Sequence, residues 1–264
     1  MRTYIYAFII SGMLCNCSKK NETSFLQRNT VSLAQPRVVA SNNLIDSFVT
    51  IEASLKLDGV SIHYTSNGKE PTLLSPKYNH PIQASEPIIY KFKAFHRDWN
   101  SSETMELPLY KKGLNVDTIV WHTNPNEKYA GQGQRTLIND KLASFIFSDS
   151  QWVGFDSTAA ATISFKKKTF VESISLRYLN DMASWIFPPE SVSVYINEEP
   201  FYKSTTSSEL LKELLPREIK SINIPIEKEV TSLRIEVNNL KSIPAWHEGQ
   251  GQKAWLFMDE WILN

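Results

Sequence analysis

Apolar and polar positions alternate with a period of two along most of this chain, the pattern of half-buried strands. In residues 47–57, SFVTIEASLKL, Val49 and Ile51 fall opposite Phe48 and Thr50, and in residues 60–66, VSIHYTS, the alternate positions are Val60, Ile62 and Tyr64. Between them Asp58-Gly59 has the chemistry of a tight turn and predicts a hairpin. Residues 66–82 break the alternation with Asn67-Gly68, Pro71, Pro76 and Pro81. It resumes in residues 88–96, with Ile88, Tyr90, Phe92 and Ala94 on one face and Ile89, Lys91 and Lys93 on the other. A small antiparallel sandwich over residues 36–112 accounts for this layout.

Further strands are predicted at 161–165, 172–179, 191–196, 221–226, 231–237 and 254–263, each with period-two apolar residues, so residues 113–264 form a second all-β domain. Only residues 207–215, SSELLKELL, carry helical spacing, with Leu210, Leu211, Leu214 and Leu215 on one face, as in a short covering helix.

The chain has 264 residues, 42% of them hydrophobic, enough for two real cores. Its 28 basic and 28 acidic residues are interspersed, so no basic stripe gathers phosphates and nucleic acid is not expected as a partner. Neither a phosphate loop, a nucleophile elbow nor a metal-hydrolase motif occurs.

Residues 1–17 read as a targeting segment: Arg2, then an apolar run from Tyr4 to Met13 too short to span a bilayer. Leu14-Cys15-Asn16-Cys17 resembles a bacterial lipobox, with Asn16 where a small residue is usual, and the Ser-Lys-Lys that follows resembles the start of Bacteroidetes-type lipoproteins. The resemblance implies a lipid on Cys17, loss of Cys15 with the signal, and outer-membrane anchoring; ordinary cleavage leaving a free cysteine is the alternative. Residues 18–35 are polar and read as a tether.

Residues 62–82, IHYTSNGKEPTLLSPKYNHPI, followed by YKFKAFHRDWNSS, resemble the chitobiase/β-hexosaminidase C-terminal domain, an immunoglobulin- or fibronectin-like accessory module. That resemblance implies structural roles for Tyr64 and Tyr78. In the second domain, residues 129–140, 152–155, 175–197 and 243–260 resemble the discoidin or coagulation-factor type C family, as found at the C-terminus of bacterial family-20 β-hexosaminidases. The fold implied is a galactose-binding-like jelly roll.

Aromatic residues are the candidate chemistry, since tryptophan either fills a core or offers a flat face to a sugar ring with its N–H free to bond a hydroxyl. Trp246 and His247 sit in a loop between Pro244 and Gly249, and Trp185 precedes two prolines, so these are candidates, with a core role open for both tryptophans. Tyr129 and Trp152 join them through the resembling blocks. Trp255 and Trp261 read as strand residues on one side of the last strand, packing the core. His247 suits a sugar contact, a metal ligand or a loop cap, and no second His or Cys stands at zinc-ligand spacing.

The resemblance implies a structural calcium held by Asn139, Asp140 and Glu260, although Asn139-Asp140 stands where the family reads Asp-Gly. No other cofactor is expected. Asp259-Glu260 looks like the acid pair of family-20 hexosaminidases, but that pair belongs to a barrel of roughly 200 residues or more, for which the chain has no room. Adjacent strand residues also face opposite ways. No catalytic residue is therefore expected. The reading is a non-catalytic, lipid-anchored envelope protein whose jelly roll binds a glycan containing N-acetylhexosamine or galactose. The alternatives are an accessory-domain relative or fragment of a β-N-acetylhexosaminidase and a protein-binding adhesion module.

Overall fold

The computed structural model describes residues 31–206 and 211–264. Cys17, the targeting segment and most of the tether lie outside the described residues. The fold is all-β.

Eight strands make up the first part: β1 (Arg37–Ala40), β2 (Leu44–Ile45), β3 (Val49–Ser54), β4 (Ser61–Thr65), β5 (Ile82–Ala84), β6 (Ile89–Phe95), β7 (Met105–Pro108) and β8 (Tyr110–Lys111). They form sheets in the orders β1-β3-β5 and β4-β6-β7, with a parallel β2-β8 pair. The Asp58-Gly59 turn is present, with Gly59 at φ 75°, but it does not close a hairpin. β3 and β4 belong to different sheets, and residues 55–60 carry the chain across the sandwich. Ile51 and Ile62 then meet from opposite layers in one core with Val49, Tyr90, Phe92 and Leu107. Alternation reports that one face of a strand is buried, and it does not report against which sheet.

The remaining strands are β9 (Thr118–Trp121), β10 (Val153–Phe155), β11 (Ala159–Asn180), β12 (Ser191–Ile196), β13 (Glu199–Thr205), β14 (Glu218–Asn238) and β15 (Leu256–Leu263). The strands expected at 161–165 and 172–179 are one, β11, as those at 221–226 and 231–237 are one, β14. Their mutual register shifts between Ser164 and Thr169 and again between Val171 and Ser173, and such bulges let a strand bend and pass from one layer to the other. The first half of β11 pairs with β9 and the second half of β14, which continues to β12 and β13. The second half of β11 pairs with β15, which continues to β10. Ile163, Ile174, Leu176, Val194, Ile224, Leu233, Ile235 and Trp261 fill the space between the layers.

Of the helix expected over 207–215, residues 207–210 lie outside the described residues. Residues 212–215 are not helical and Leu214 is exposed, but Leu211 and Leu215 do cover an apolar cluster of Met182, Phe187, Ile243 and Ala254.

The two parts meet at the end of β15. The Leu114 N–H donates to the Leu263 carbonyl at 2.6 Å, an approach that needs Gly113, where an added Cβ would lie 2.9 Å from that carbonyl oxygen. Lys112 Nζ stands 3.5 Å from the Asp140 carboxylate. The opposite end of β15 opens onto loops 122–152, 181–190 and 239–255, about 23 Å away at the 3.3 Å rise of a strand.

Candidate functional site

At that loop pole lies a cleft of about 340 Å³ lined chiefly by Tyr129, Phe147, Ser184, Trp185, Trp255 and Phe257. Each aromatic residue is held by local backbone geometry. Tyr129 ends a short helical turn, Glu127–Tyr129, whose first residue is preceded by Asn126, the side chain of which accepts from the Lys128 N–H. Its ring meets Trp255 edge-to-face at 5.2 Å and Phe257 at 4.7 Å, the arrangement aromatic quadrupoles favour. Trp185 follows the turn Met182–Ser184 and takes the left-handed conformation, φ 64° and ψ 20°. A bulky residue rarely adopts it, and such strain concentrates at functional sites. The Trp185 indole lies against Gly249, where a Cβ would come within 2.9 Å of the ring. The Trp255 N–H donates to the Trp185 carbonyl at 2.9 Å, and the Trp255 carbonyl accepts from the Phe187 N–H at 3.0 Å. Two loops are thereby joined with both indoles half-buried on the cleft.

Two of the five expected saccharide contacts, Tyr129 and Trp185, line this cleft. Trp152 does not: it is 1% exposed and its indole N–H donates to the Ser144 carbonyl at 2.9 Å, so it is core. His247, 7% exposed, is the loop cap. The Gly249 N–H donates to Nδ1 at 3.0 Å, which leaves the proton on Nε2 to donate to the Met182 carbonyl at 2.9 Å. It clips the 239–255 loop to the turn that carries Trp185. Trp246 is 39% exposed and packs edge-on to His247 at 5.4 Å, its N–H donating to the Leu211 carbonyl at 2.6 Å. It lies outside the cleft lining.

Trp255 was expected on the same side of the last strand as Trp261, and it is not. β15 begins only at Leu256. Its register with β11 also slips, Tyr178 facing Met258 and Leu176 facing Trp261. The extra residue reverses the inward-facing parity. Trp261 is sealed in the core while Trp255 opens on the cleft. Ser184, Phe257 and Phe147 were not anticipated either; Phe147 belongs to the exposed run Phe145-Ile146-Phe147, an apolar triplet in a segment without strand alternation and hence a visible signal.

Asn139, Asp140 and Glu260 do come together, outside the cleft lining. Glu260 is 3% exposed, and its two carboxyl oxygens accept from the Asn139 and Asp140 N–H groups at 3.2 Å each. Burial pushes it up to about 9, against the lowering effect of those two bonds. The Asn139 side chain is engaged with Gln151 and the Lys141 N–H, and the Asp140 carboxylate turns to Lys112. These groups are thus engaged within the chain, and no group of three His, Cys, Asp or Glu residues that could hold a metal occurs among the described residues. As arranged, the residues do not fit a calcium ion.

Asp259 is fully buried. Burial works to raise its carboxyl, while the Arg177 guanidinium lowers it through contacts of 3.1 and 2.9 Å. Asp259 and Glu260 thus serve separate partners and share no opening to solvent that a substrate could use.

Among the described residues no helix is long and apolar enough to cross a membrane. No curated protein matches the chain by sequence. Among solved structures, the CpGH89CBM32-4 module produced by Clostridium perfringens, in complex with GlcNAc-alpha-1,4-galactose, is similar at 15% identity and TM-score 0.34, over 57% of this chain and 95% of that one. The SusE-like protein BT2857 is similar at 14% identity and TM-score 0.30, over 86% and 97%. A fucolectin from striped bass (Morone saxatilis) serum is similar at 9% identity and TM-score 0.33, over 86% and 84%. By sequence, residues 42–106 match the family model of the chitobiase/beta-hexosaminidase C-terminal domain.

Proposed function

We propose that this chain is a non-catalytic saccharide-binding protein of a bacterial cell envelope, anchored by a lipid on Cys17 and binding through the cleft at its loop pole. The observation that carries the reading is the pairing of Trp185 and Trp255: two half-buried indoles from different loops, tied by a backbone hydrogen bond and backed by Tyr129 and Phe257. Flat aromatic faces beside a few polar groups are what a pyranose, apolar on its C–H faces and polar at its rim, requires. The match of residues 42–106 to a domain of saccharide-processing enzymes supports the same reading. Non-catalysis is supported by the two adjacent carboxyls being spent on Arg177 and on the 139–140 backbone.

A glycan array tests the proposal. Trp185→Ala or Trp255→Ala should each weaken the best interaction by about 1–3 kcal/mol, the scale of one aromatic anchor, whereas Trp246→Ala should leave it nearly unchanged. Full-strength binding by both cleft variants sinks the site, and hydrolysis of an N-acetylhexosaminide by wild type that is lost in Glu260→Gln sinks non-catalysis. Anchoring is read separately: Cys17→Ser should move the protein out of the membrane fraction or block its processing.

A further inference from the structure

The indole N–H groups of the chain are engaged in different ways; that of Trp99, in the first part, belongs to an exposed side chain. Those of Trp152 and Trp246 are taken by carbonyls of the chain itself, and those of Trp121 and Trp261 are buried with no partner. Trp185 and Trp255 differ from both pairs. Their N–H groups have no hydrogen-bond partner among the described residues, and neither is sealed from water. Two unengaged indole donors thus belong to side chains that line the cleft, beside Tyr129, Phe147 and Phe257.

No acidic or basic side chain lines it, and the nearest charges are engaged. The Asp181 carboxylate accepts from the Ser184 hydroxyl at 2.9 Å and pairs with Arg217 at 3.3 Å. Lys128 Nζ stands 5.1 Å from the Tyr129 ring centre, held by the ring's negative face. An anionic group brought onto these rings would meet the same negative face and lose its hydration with no cation in the lining itself to replace it, the Lys128 ammonium standing on the Tyr129 ring outside that lining.

We infer that the cleft selects an uncharged saccharide, recognised by its acceptor oxygens at the Trp185 and Trp255 N–H groups, and discriminates against sulfated and uronic acid-containing counterparts. This rests on the reading of the cleft as a saccharide site.

The test uses detergent-solubilised full chain against neutral glycans and their sulfated and uronic acid counterparts on the same backbone. Neutral members should bind with an affinity that changes by less than about two-fold between roughly 0.05 and 0.5 M salt, because no ion pair is there to be screened. Their anionic counterparts should bind at least about ten-fold more weakly, given the cost of stripping water from an unpaired charge. Trp185→Phe and Trp255→Phe keep a ring and remove the donor, and each should weaken neutral binding about five-fold, the scale of one net hydrogen bond, with the melting temperature unchanged. Anionic glycans bound as tightly as neutral ones, salt-weakened binding, or full affinity in both Phe variants would overturn the selectivity while leaving a saccharide site in place. Absence of binding to either set would overturn the saccharide reading and the selectivity together.

Discussion

Glu260 is a carboxyl whose neutral form the fold prefers. Its folded value of about 9 stands above the usual glutamate value of 4.5, so between those two pH values the folded chain holds a proton that the unfolded chain has released. The resulting stabilisation is fully present below about pH 4.5 and is lost as pH rises toward 9, by up to about 1.4 kcal/mol per pH unit. Denaturant melts of wild type and Glu260→Gln across that range should therefore diverge, wild type losing stability relative to the variant as pH increases. Parallel curves would mean that Glu260 is ionised in the fold. Nothing in the sequence marks this residue as different from any other glutamate, because its burial arises from a loop 120 positions away that lays two N–H groups on it. The tryptophans make the same point. Composition and loop signals separated Trp185 correctly from the strands, yet whether an indole N–H is taken by a carbonyl (Trp152, Trp246) or left free (Trp185, Trp255) depends on chain segments that no local pattern identifies.

At the scale of elements, period-two alternation located the long strands β3, β4, β6, β11, β12, β14 and β15 but not the shorter or edge strands such as β1, β9, β10 and β13, and it missed what happens where strands bend. β11 and β14 run through both layers, and at their shared corner the sequence turns polar, with Lys166-Lys167-Lys168 on one strand and Glu227-Lys228-Glu229 on the other. Those residues project into solvent, Lys168 meeting Glu229 at 3.0 Å, so the corner looks from sequence like a loop. The bend in β14 falls at Glu227, held at φ 51°, where a side chain costs about 1–2 kcal/mol that glycine avoids. Against this, glycine loses more backbone entropy on folding, about 0.5–1 kcal/mol. Glu227→Gly should thus stabilise the chain, by about 0.5–1 kcal/mol net, read as a shift in the denaturant midpoint at constant slope. A destabilisation would show that the bend depends on the glutamate side chain. The β15 bulge is an equally hidden element: one extra residue between Met258 and Trp261 turned Trp255 from an expected core residue into a wall of the cleft.

The whole molecule is arranged along one axis, and the junction between its two parts decides whether that axis is rigid. The chain enters at Val31 and Leu33, which pair with Asn100 near the β4–β6 end formed by Ser61 and Phe95. β8 leaves the opposite end, where Ile89 faces Pro108, and meets β15, and the cleft opens at the far end of β15. Tyr110 of β8 holds this line. Its ring lies 4.9 Å from the Arg177 guanidinium, which is 3% exposed and bound to the wholly buried Asp259 carboxylate. One part of the chain thus covers a buried ion pair of the other. A cation held over an aromatic face away from water contributes about 2 kcal/mol, which at this chain length corresponds to a fall of about 4–8 °C in melting temperature on Tyr110→Ala. Tyr110→Phe retains the ring face and should melt like wild type. In the Ala variant, limited proteolysis should also find new cleavage near residues 111–114, where the Gly113 approach to Leu263 no longer has a ring clamped beside it. Residues 113–264, which own a complete core, should still fold when cut free but melt lower than the same core in the intact chain. Equal melting of Tyr110→Ala and wild type, with no new cleavage, would mean that the two parts are merely strung together and that the cleft's direction is not set by the first.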